Sequence, residues 1–395
     1  MTCERRILDA LSGLDTIALL KRLVAVPSIS GNEGELAQVV GDLLRHAGCD
    51  VTFQTVEGSR CNVIGTYRFP VAGPTLMFNG HLDTVTVARG WRTDPYVATE
   101  RDGCLFGLGA LDMKAGIAAS ITAARALIAE GEGLRGTLLV TGVVDEEGYS
   151  SGARSLLTAG LSDVDAIILG EPYYGTTESP VPVLTPGKVL YRVTVKGRSA
   201  HGFLPREGVN AIDDAARIIL SLPRLRRTDH PQLGIGPVCT LKVAGGYEEY
   251  AVVVPETCEA IISRMTVPGE SSAQCLEDAE DLIDSLDLDS DVLVEVIPPF
   301  YEPVEADPVG PVYDGFRGAY EDELGRSPIF GHMTTITDAS IFQSLAGIPT
   351  IVFGPDGGGI HQADEFVTAA SVEACARIYA RTAARFLSHD DSASC

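Results

Sequence analysis

Four short apolar runs constrain this 395-residue chain more than any other feature. They are Thr75-Leu-Met-Phe78, residues 137–144, Asp165-Ala-Ile-Ile-Leu169 and Thr350-Ile-Val-Phe353, each bounded by Gly or Pro. Strands buried on both faces read this way. Helical patterns lie between and before them. Residues 14–23 have helical spacing, and so does the stretch through Leu36, Val39, Val40, Leu43 and Leu44, which ends at Gly48. Ser30-Gly-Asn-Glu33 has the form of a capping box for that second helix. Residues 115–130 form a long Ala/Ile-rich helix between two of the apolar runs. The alternation predicts an α/β fold with a largely parallel sheet.

The middle of the chain has another pattern. Leu190 to Lys196 alternates, with Tyr191, Val193 and Val195 on one face. A helix over 209–222, strands near 238–243 and 258–267, a helix over 272–285 and a strand over 292–297 complete a β-α-β-β-α-β order, the ferredoxin-like arrangement. The buried-strand pattern then resumes. The expected organisation is one discontinuous domain, residues 1–182 and 299–395, with a smaller α+β domain, residues 183–298, inserted into it. The tail from His389 is expected to fray.

The residues just behind each buried run carry the chemistry. Behind the first comes Asn79-Gly-His-Leu-Asp83, behind the second Asp145-Glu-Glu147, behind the third Gly170-Glu-Pro172. The last enters a Gly-rich stretch and reaches His361, and Asp112 sits in the loop leading into the long helix. Ligands of open α/β sheets bind beyond the carboxyl ends of the strands. His81, Asp112, Glu147, Glu171 and His361 therefore converge on one rim. Taken singly, each has an ordinary reading: a surface His-x-Asp loop, a helix N-cap at Asp112, a solvated acidic turn at 145–147. Taken together, two imidazoles and three carboxylates suit a pair of divalent ions, with zinc fitting best and cobalt or manganese as substitutes. Two dications would be neutralised by three carboxylates and one hydroxide, which a partly buried site favours. Asp112 is the expected bridge. Asp83 is expected to accept the second ring N–H of His81. Glu146, beside a ligand without needing to be one, suits a general base that takes a proton from water and passes it to a leaving amine.

Bulk properties narrow the partners. With 54 acidic against 30 basic residues the formal net charge is −24, and no basic run offsets it, so nucleic acid is not expected as a partner. The nine cysteines are scattered and include no C-x-x-C pair, which points to a reducing compartment rather than a disulfide framework or a thiolate cluster. No apolar run is long enough to span a bilayer, and Asp9 and Asp15 interrupt what would be the apolar part of a signal peptide. A cytoplasmic protein is expected.

The motifs now in view resemble those of the M20 zinc aminoacylases and peptidases. The matching text is Asn79-Gly-His-Leu-Asp-Thr-Val85, Gly107-Leu-Gly-Ala-Leu-Asp-Met-Lys-Ala-Gly116, Asp145-Glu-Glu147, Gly170-Glu-Pro172, Gly197-Arg-Ser-Ala-His201, Gly208-Val-Asn-Ala-Ile212, and Gly347-Ile-Pro-Thr350 through His361. The resemblance covers nearly the whole chain. It implies a zinc-exopeptidase-like catalytic domain with an inserted lid and dimerisation domain, a homodimer paired through that lid, and hydrolysis of an amide bond in an N-acyl amino acid or small peptide. It implies one metal on His81, Asp112 and Glu171 and another on Asp112, Glu147 and His361, with a cis peptide after Asp112. It also implies that His201 binds the scissile carbonyl oxygen and that Arg264 holds a substrate carboxylate.

This chain departs from the family pattern at Val252, at Thr334-Thr-Ile-Thr-Asp-Ala339, at Gly148-Tyr-Ser-Ser151 and at Phe203. Phe203, Ile336 and Tyr149 suggest a bulky, apolar acyl or amino-acid group. Two other classes compete. Gly107-Leu-Gly109-Ala faintly suggests a dinucleotide loop, but it lacks a third Gly at the right spacing and a strand to feed it. A non-catalytic scaffold on the same fold would be expected to lose the base or a ligand, and none is lost.

Overall fold

The computed structural model describes residues 2–161, 163–249 and 251–388, so the tail from His389 lies outside the described residues. The chain divides into two compact units, one made of Met1–Val183, Ala306–Gly331 and Thr337–Cys395, the other of Leu184–Glu305 and His332–Ile336.

The larger unit is built on a six-stranded sheet in the order Asp50–Glu57, Arg60–Arg68, Arg135–Val143, Val71–His81, Ala166–Leu169, Thr350–Val352. The last four strands are parallel, and the first two form an antiparallel hairpin added at one edge. All four apolar runs are thus neighbouring parallel strands, buried as their composition requires. The hairpin is the part that the apolar runs did not announce. Its outer strand alternates half-buried and exposed residues, as an edge strand does.

Helices Cys3–Leu11, Thr16–Val24, Ala115–Glu130, Pro311–Leu324 and Ala369–Ser388 share one apolar core with this sheet. Ala115–Glu130 is buried nearly all round, which explains why it is rich in Ala and carries no polar stripe. It also lies hard against the turn after Ala166–Leu169. A Cβ on Gly116 would stand 2.1 Å from the carbonyl oxygen of Gly170, so only glycine permits that approach.

The helix Gly34–Ala47 ends at Gly48, whose φ of 100° is left-handed. Its start corrects the sequence reading. No side chain caps it. The Ser30 hydroxyl donates to Asp83 Oδ2 instead, at 2.8 Å, and the Glu33 carboxylate binds Arg60 and the N–H of Gly31.

The smaller unit holds a four-stranded antiparallel sheet in the order Val238–Gly245, Thr257–Thr266, Gly187–Lys196, Asp291–Tyr301. With helices Ala211–Ser221 and Ser272–Asp284 it has the β-α-β-β-α-β order. Val189, Tyr191, Val193 and Val195 face its core, together with Ala215, Ile218, Ile262 and Leu282. Strand Val238–Gly245 is an edge, and its Leu241 and Val243 are exposed.

Gly116→Ala should destabilise the protein by roughly 1–3 kcal/mol, the usual cost of overpacking, or more if the backbone cannot shift. A urea midpoint equal to wild type would show that the helix and the 170–171 turn are not in rigid contact.

Candidate metal centre

Strand Val71–His81 ends in a fully buried histidine, because the parallel sheet encloses it on both sides. Asp112 sits in an irregular turn, Ala110–Lys114, that begins after the left-handed Gly109, and the Asp112–Met113 peptide is cis. Glu171 lies directly beyond Ala166–Leu169 and is buried. Glu146 and Glu147 come after Asp145, whose φ of 70° turns the chain back over the sheet end. His361, also at positive φ, stays half-exposed.

The side chains meet. His81 Nε2 lies 3.0 Å from Asp112 Oδ1 and 3.7 Å from Glu171 Oε1. His361 Nε2 lies 3.2 Å from Asp112 Oδ2 and 2.9 Å from Glu147 Oε1. The two oxygens of Asp112 therefore face two different imidazoles. Donor atoms of His81, Asp112 and Glu147 all fall within 4.8 Å of one another, and so do those of His81, Glu146 and Glu171. Borderline nitrogen donors and hard carboxylate oxygens at such separations fit divalent cations, so the residues present suit a metal centre.

The electrostatics arise from crowding acids in a buried place. Burial pushes Glu146 well above the usual carboxyl range, and the charge of Glu171 adds to it. Burial and then Asp112 do the same to Glu171. For His81, burial favours the neutral ring, but the hydrogen bond to Asp112 and the charges of Glu171, Asp112 and Glu146 outweigh it and raise its pKa. Hydrogen bonds to Asp112 and Glu147 raise His361 to about 10. Burial opposes ionisation of Asp112, yet hydrogen bonds from His361 and His81 win and lower its pKa.

Asp83 acts differently from the sequence expectation. The second ring nitrogen of His81, Nδ1, is 2.9 Å from the Asp83 backbone carbonyl and 3.7 Å from its carboxylate. The carboxylate instead accepts the backbone N–H groups of Glu146 and Glu147, each at 3.1 Å, and the Ser30 hydroxyl. It holds the Glu146–Glu147 turn from beneath. Arg60 reinforces that turn, binding Asp145 at 3.0 Å while gripping buried Glu33 through two nitrogens.

Two proposed substrate contacts lie in the smaller unit. His201 is exposed, and its Nδ1 accepts the N–H of Phe203 at 3.2 Å. A neutral ring so held carries its proton on Nε2 and offers it as a donor. The assignment of Arg264 is corrected. Its side chain is fully buried, 2.7 Å from Glu270 and 3.2 Å from Asp278, so its fork is already filled by the protein's own acids.

Sequence reasoning missed two buried acids. Asp338, at the start of helix Asp338–Ala346, has a pKa raised to about 7 by burial, with nearby Ser150 acting against the rise, and its charge in turn raises Glu146 and Glu171. Glu365 is buried and accepts three backbone N–H groups. The signal for Asp338 was present in Thr334–Ala339, read only as a departure. Nothing local marked Glu365.

A model of the peptidase family M20/M25/M40 matches residues 77–385. The chain belongs to this family. As an M20 hydrolase it is 27% identical over 393 residues to a probable succinyl-diaminopimelate desuccinylase of Staphylococcus epidermidis, covering 91% of this chain and 95% of that one. Its fold is similar to a metallo-carboxypeptidase of Sulfolobus solfataricus, with a TM-score of 0.77 at 15% identity over 94% of this chain and 99% of that one. It is also similar to the Bacillus subtilis YxeP protein, described as a dinuclear metal binding peptidase, with a TM-score of 0.68 at 18% identity over 94% of this chain and 97% of that one.

Two expected outcomes test this geometry. Arg264→Ala should cost about 3–5 kcal/mol of stability, because it leaves buried Glu270 without its cation and Asp278 with only Arg226, 3.5 Å away. A variant of wild-type stability but raised KM would restore Arg264 as a substrate contact. Metal uptake near neutral pH should release protons, since the neighbouring acids raise the proton affinity of both imidazoles and a cation displaces those protons. Apparent affinity should therefore fall as pH falls. Calorimetry in two buffers of different ionisation enthalpy reads the release, and identical heats would contradict imidazole ligation.

Proposed function

We propose that this protein hydrolyses an amide bond in an N-acyl amino acid or small peptide, using two zinc ions. The observation that supports it is Asp112, whose two oxygens face two imidazoles, each with a further carboxylate beside it. In this reading His81, Asp112 and Glu171 hold one ion and Asp112, Glu147 and His361 the other; cobalt or manganese would substitute. Bound there, the cations supply Lewis acidity toward a carbonyl oxygen and toward water.

The protein's own groups do the rest. Glu146 takes the proton from the attacking water on its carboxylate and delivers it to the leaving nitrogen. A raised affinity for protons, which its burial supplies, suits the second half of that task. Asp83 keeps Glu146 in place through the main chain. His201 donates its Nε2 proton to the carbonyl oxygen as negative charge develops.

The unit centred on Leu184–Glu305 serves as lid and dimerisation domain. Exposed Leu241 and Val243 on its edge strand support pairing with a second copy. Phe203 and Tyr149, both exposed, favour a substrate with an apolar group. The desuccinylase relative supports a deacylase and the carboxypeptidase neighbour a peptidase; the same groups serve both reactions. The eight described cysteines that are free support a reducing compartment such as the cytoplasm, and among the described residues no helix is long and apolar enough to cross a membrane.

Glu146→Gln should keep both metals and lose about 10²–10⁴-fold in kcat, the usual contribution of a general base. The assay is a panel of N-acetyl, N-succinyl and longer N-acyl amino acids with dipeptides, each with and without chelator. An unchanged rate in the variant, or turnover that survives full chelation, overturns the mechanism.

A further inference from the structure

The backbone N–H groups of Gly109, Leu111 and Asp112 converge on one point just before the metal centre. Such a concave set of donors attracts an anion. Here the acceptor is internal, the carboxyl group of Glu365. Glu365 is 2% exposed. Its Oε2 accepts from Gly109 at 2.9 Å, and its Oε1 accepts from Leu111 at 2.8 Å and from Asp112 at 3.0 Å. Its backbone carbonyl accepts the N–H of Gly107 at 3.1 Å. Strand pairing explains the meeting. Phe366–Thr368 runs antiparallel to Cys104–Phe106 with Phe366 opposite Phe106, which leaves Glu365 beside Gly107 and the turn beyond it.

We propose that Glu365 is a positioning residue of the metal centre, fixing the main chain that presents Asp112 and tying it to the segment that carries His361. The inference rests on the reading of Asp112 as the shared ligand. Glu365 itself faces backbone donors and not the imidazoles. It lies four residues beyond His361, so one short segment supplies a ligand and also holds the turn that supplies another. The demand on that turn is severe. Asp112 must keep one oxygen 3.0 Å from His81 Nε2 and the other 3.2 Å from His361 Nε2. A ligand carboxylate tolerates about 0.5 Å of drift before such a geometry fails. A shift at Asp112 disturbs both positions together, whereas a shift at His361 or Glu171 disturbs one.

Glu365→Gln is the sharpest change available. It keeps size and one acceptor oxygen, but it turns an amide donor toward backbone donors. The test is cobalt(II) titration of the metal-free full chain, monitored by calorimetry and by the visible absorption of the bound ion, for wild type, Glu365→Gln and Asp112→Asn. Wild type is expected to take up two ions and Asp112→Asn to lose the pair. Glu365→Gln is expected to bind both at least tenfold more weakly, with an altered cobalt spectrum and an unchanged far-ultraviolet circular dichroism. Loss of thermal stability with wild-type affinities and spectrum overturns the proposal, because a merely structural acid would behave so. If wild type fails to bind two ions, or Asp112→Asn binds them as wild type does, the shared-ligand reading falls first. Should Glu365→Gln not fold, amide exchange in the wild-type protein decides: protected N–H groups at Gly109, Leu111 and Asp112 support the proposal, and rapid exchange at all three overturns it.

Discussion

The carboxylate of Asp112, set between two imidazoles, is the contact on which the rest of the site is organised. Its oxygens point to His81 and His361, which arrive from distant parts of the chain. The cluster is a crowded set of acids and rings: the neighbouring acids raise the proton affinity of both rings, and burial with neighbouring charge raises that of Glu171. Such a cluster is ready for positive charge. It is also costly to assemble, because buried acids repel one another and lose their hydration.

The scaffold meets that cost with hydrogen bonds to main chain. Asp83 accepts two N–H groups of the Glu146–Glu147 turn, and Glu365 accepts three from the Asp112 turn. Each of these acids lies a few residues beyond a histidine of the site and grips a turn that carries carboxylates. The histidine segments and the carboxylate segments are thus laced together crosswise. Arg60 adds a cation beneath the arrangement, paired to Glu33 and Asp145. Gly116 contributes by absence, letting the long helix close on the turn before Glu171.

Much of this was legible in the chain. The apolar runs marked the parallel strands, and the residues behind them marked the rim, because strand ends and ligand positions are both local in sequence. The alternation of Tyr191, Val193 and Val195 likewise marked the smaller sheet. Other readings failed where a side chain had several partners to choose from. Ser30 looked like a cap but bonds Asp83. Asp83 looked like a partner of the His81 ring, but its backbone carbonyl takes that place. Arg264 looked like a carboxylate receptor and is one, for Glu270 and Asp278 rather than for substrate.

Sequence alone marked the four parallel strands, the long helix between two of them, the α/β class, the ferredoxin-like middle and the histidines and acids that stand behind the strands. Periodicity and strand termini are properties of neighbouring residues, and they survive translation into one dimension. Only the tertiary structure decided which acid faces an imidazole, which holds a backbone turn and which arginine is sealed inside. Those roles depend on approaches of about 3 Å between residues as far apart as Gly109 and Glu365. No local pattern encodes such a distance, because it is set by how the sheet, the helices and the loops pack together.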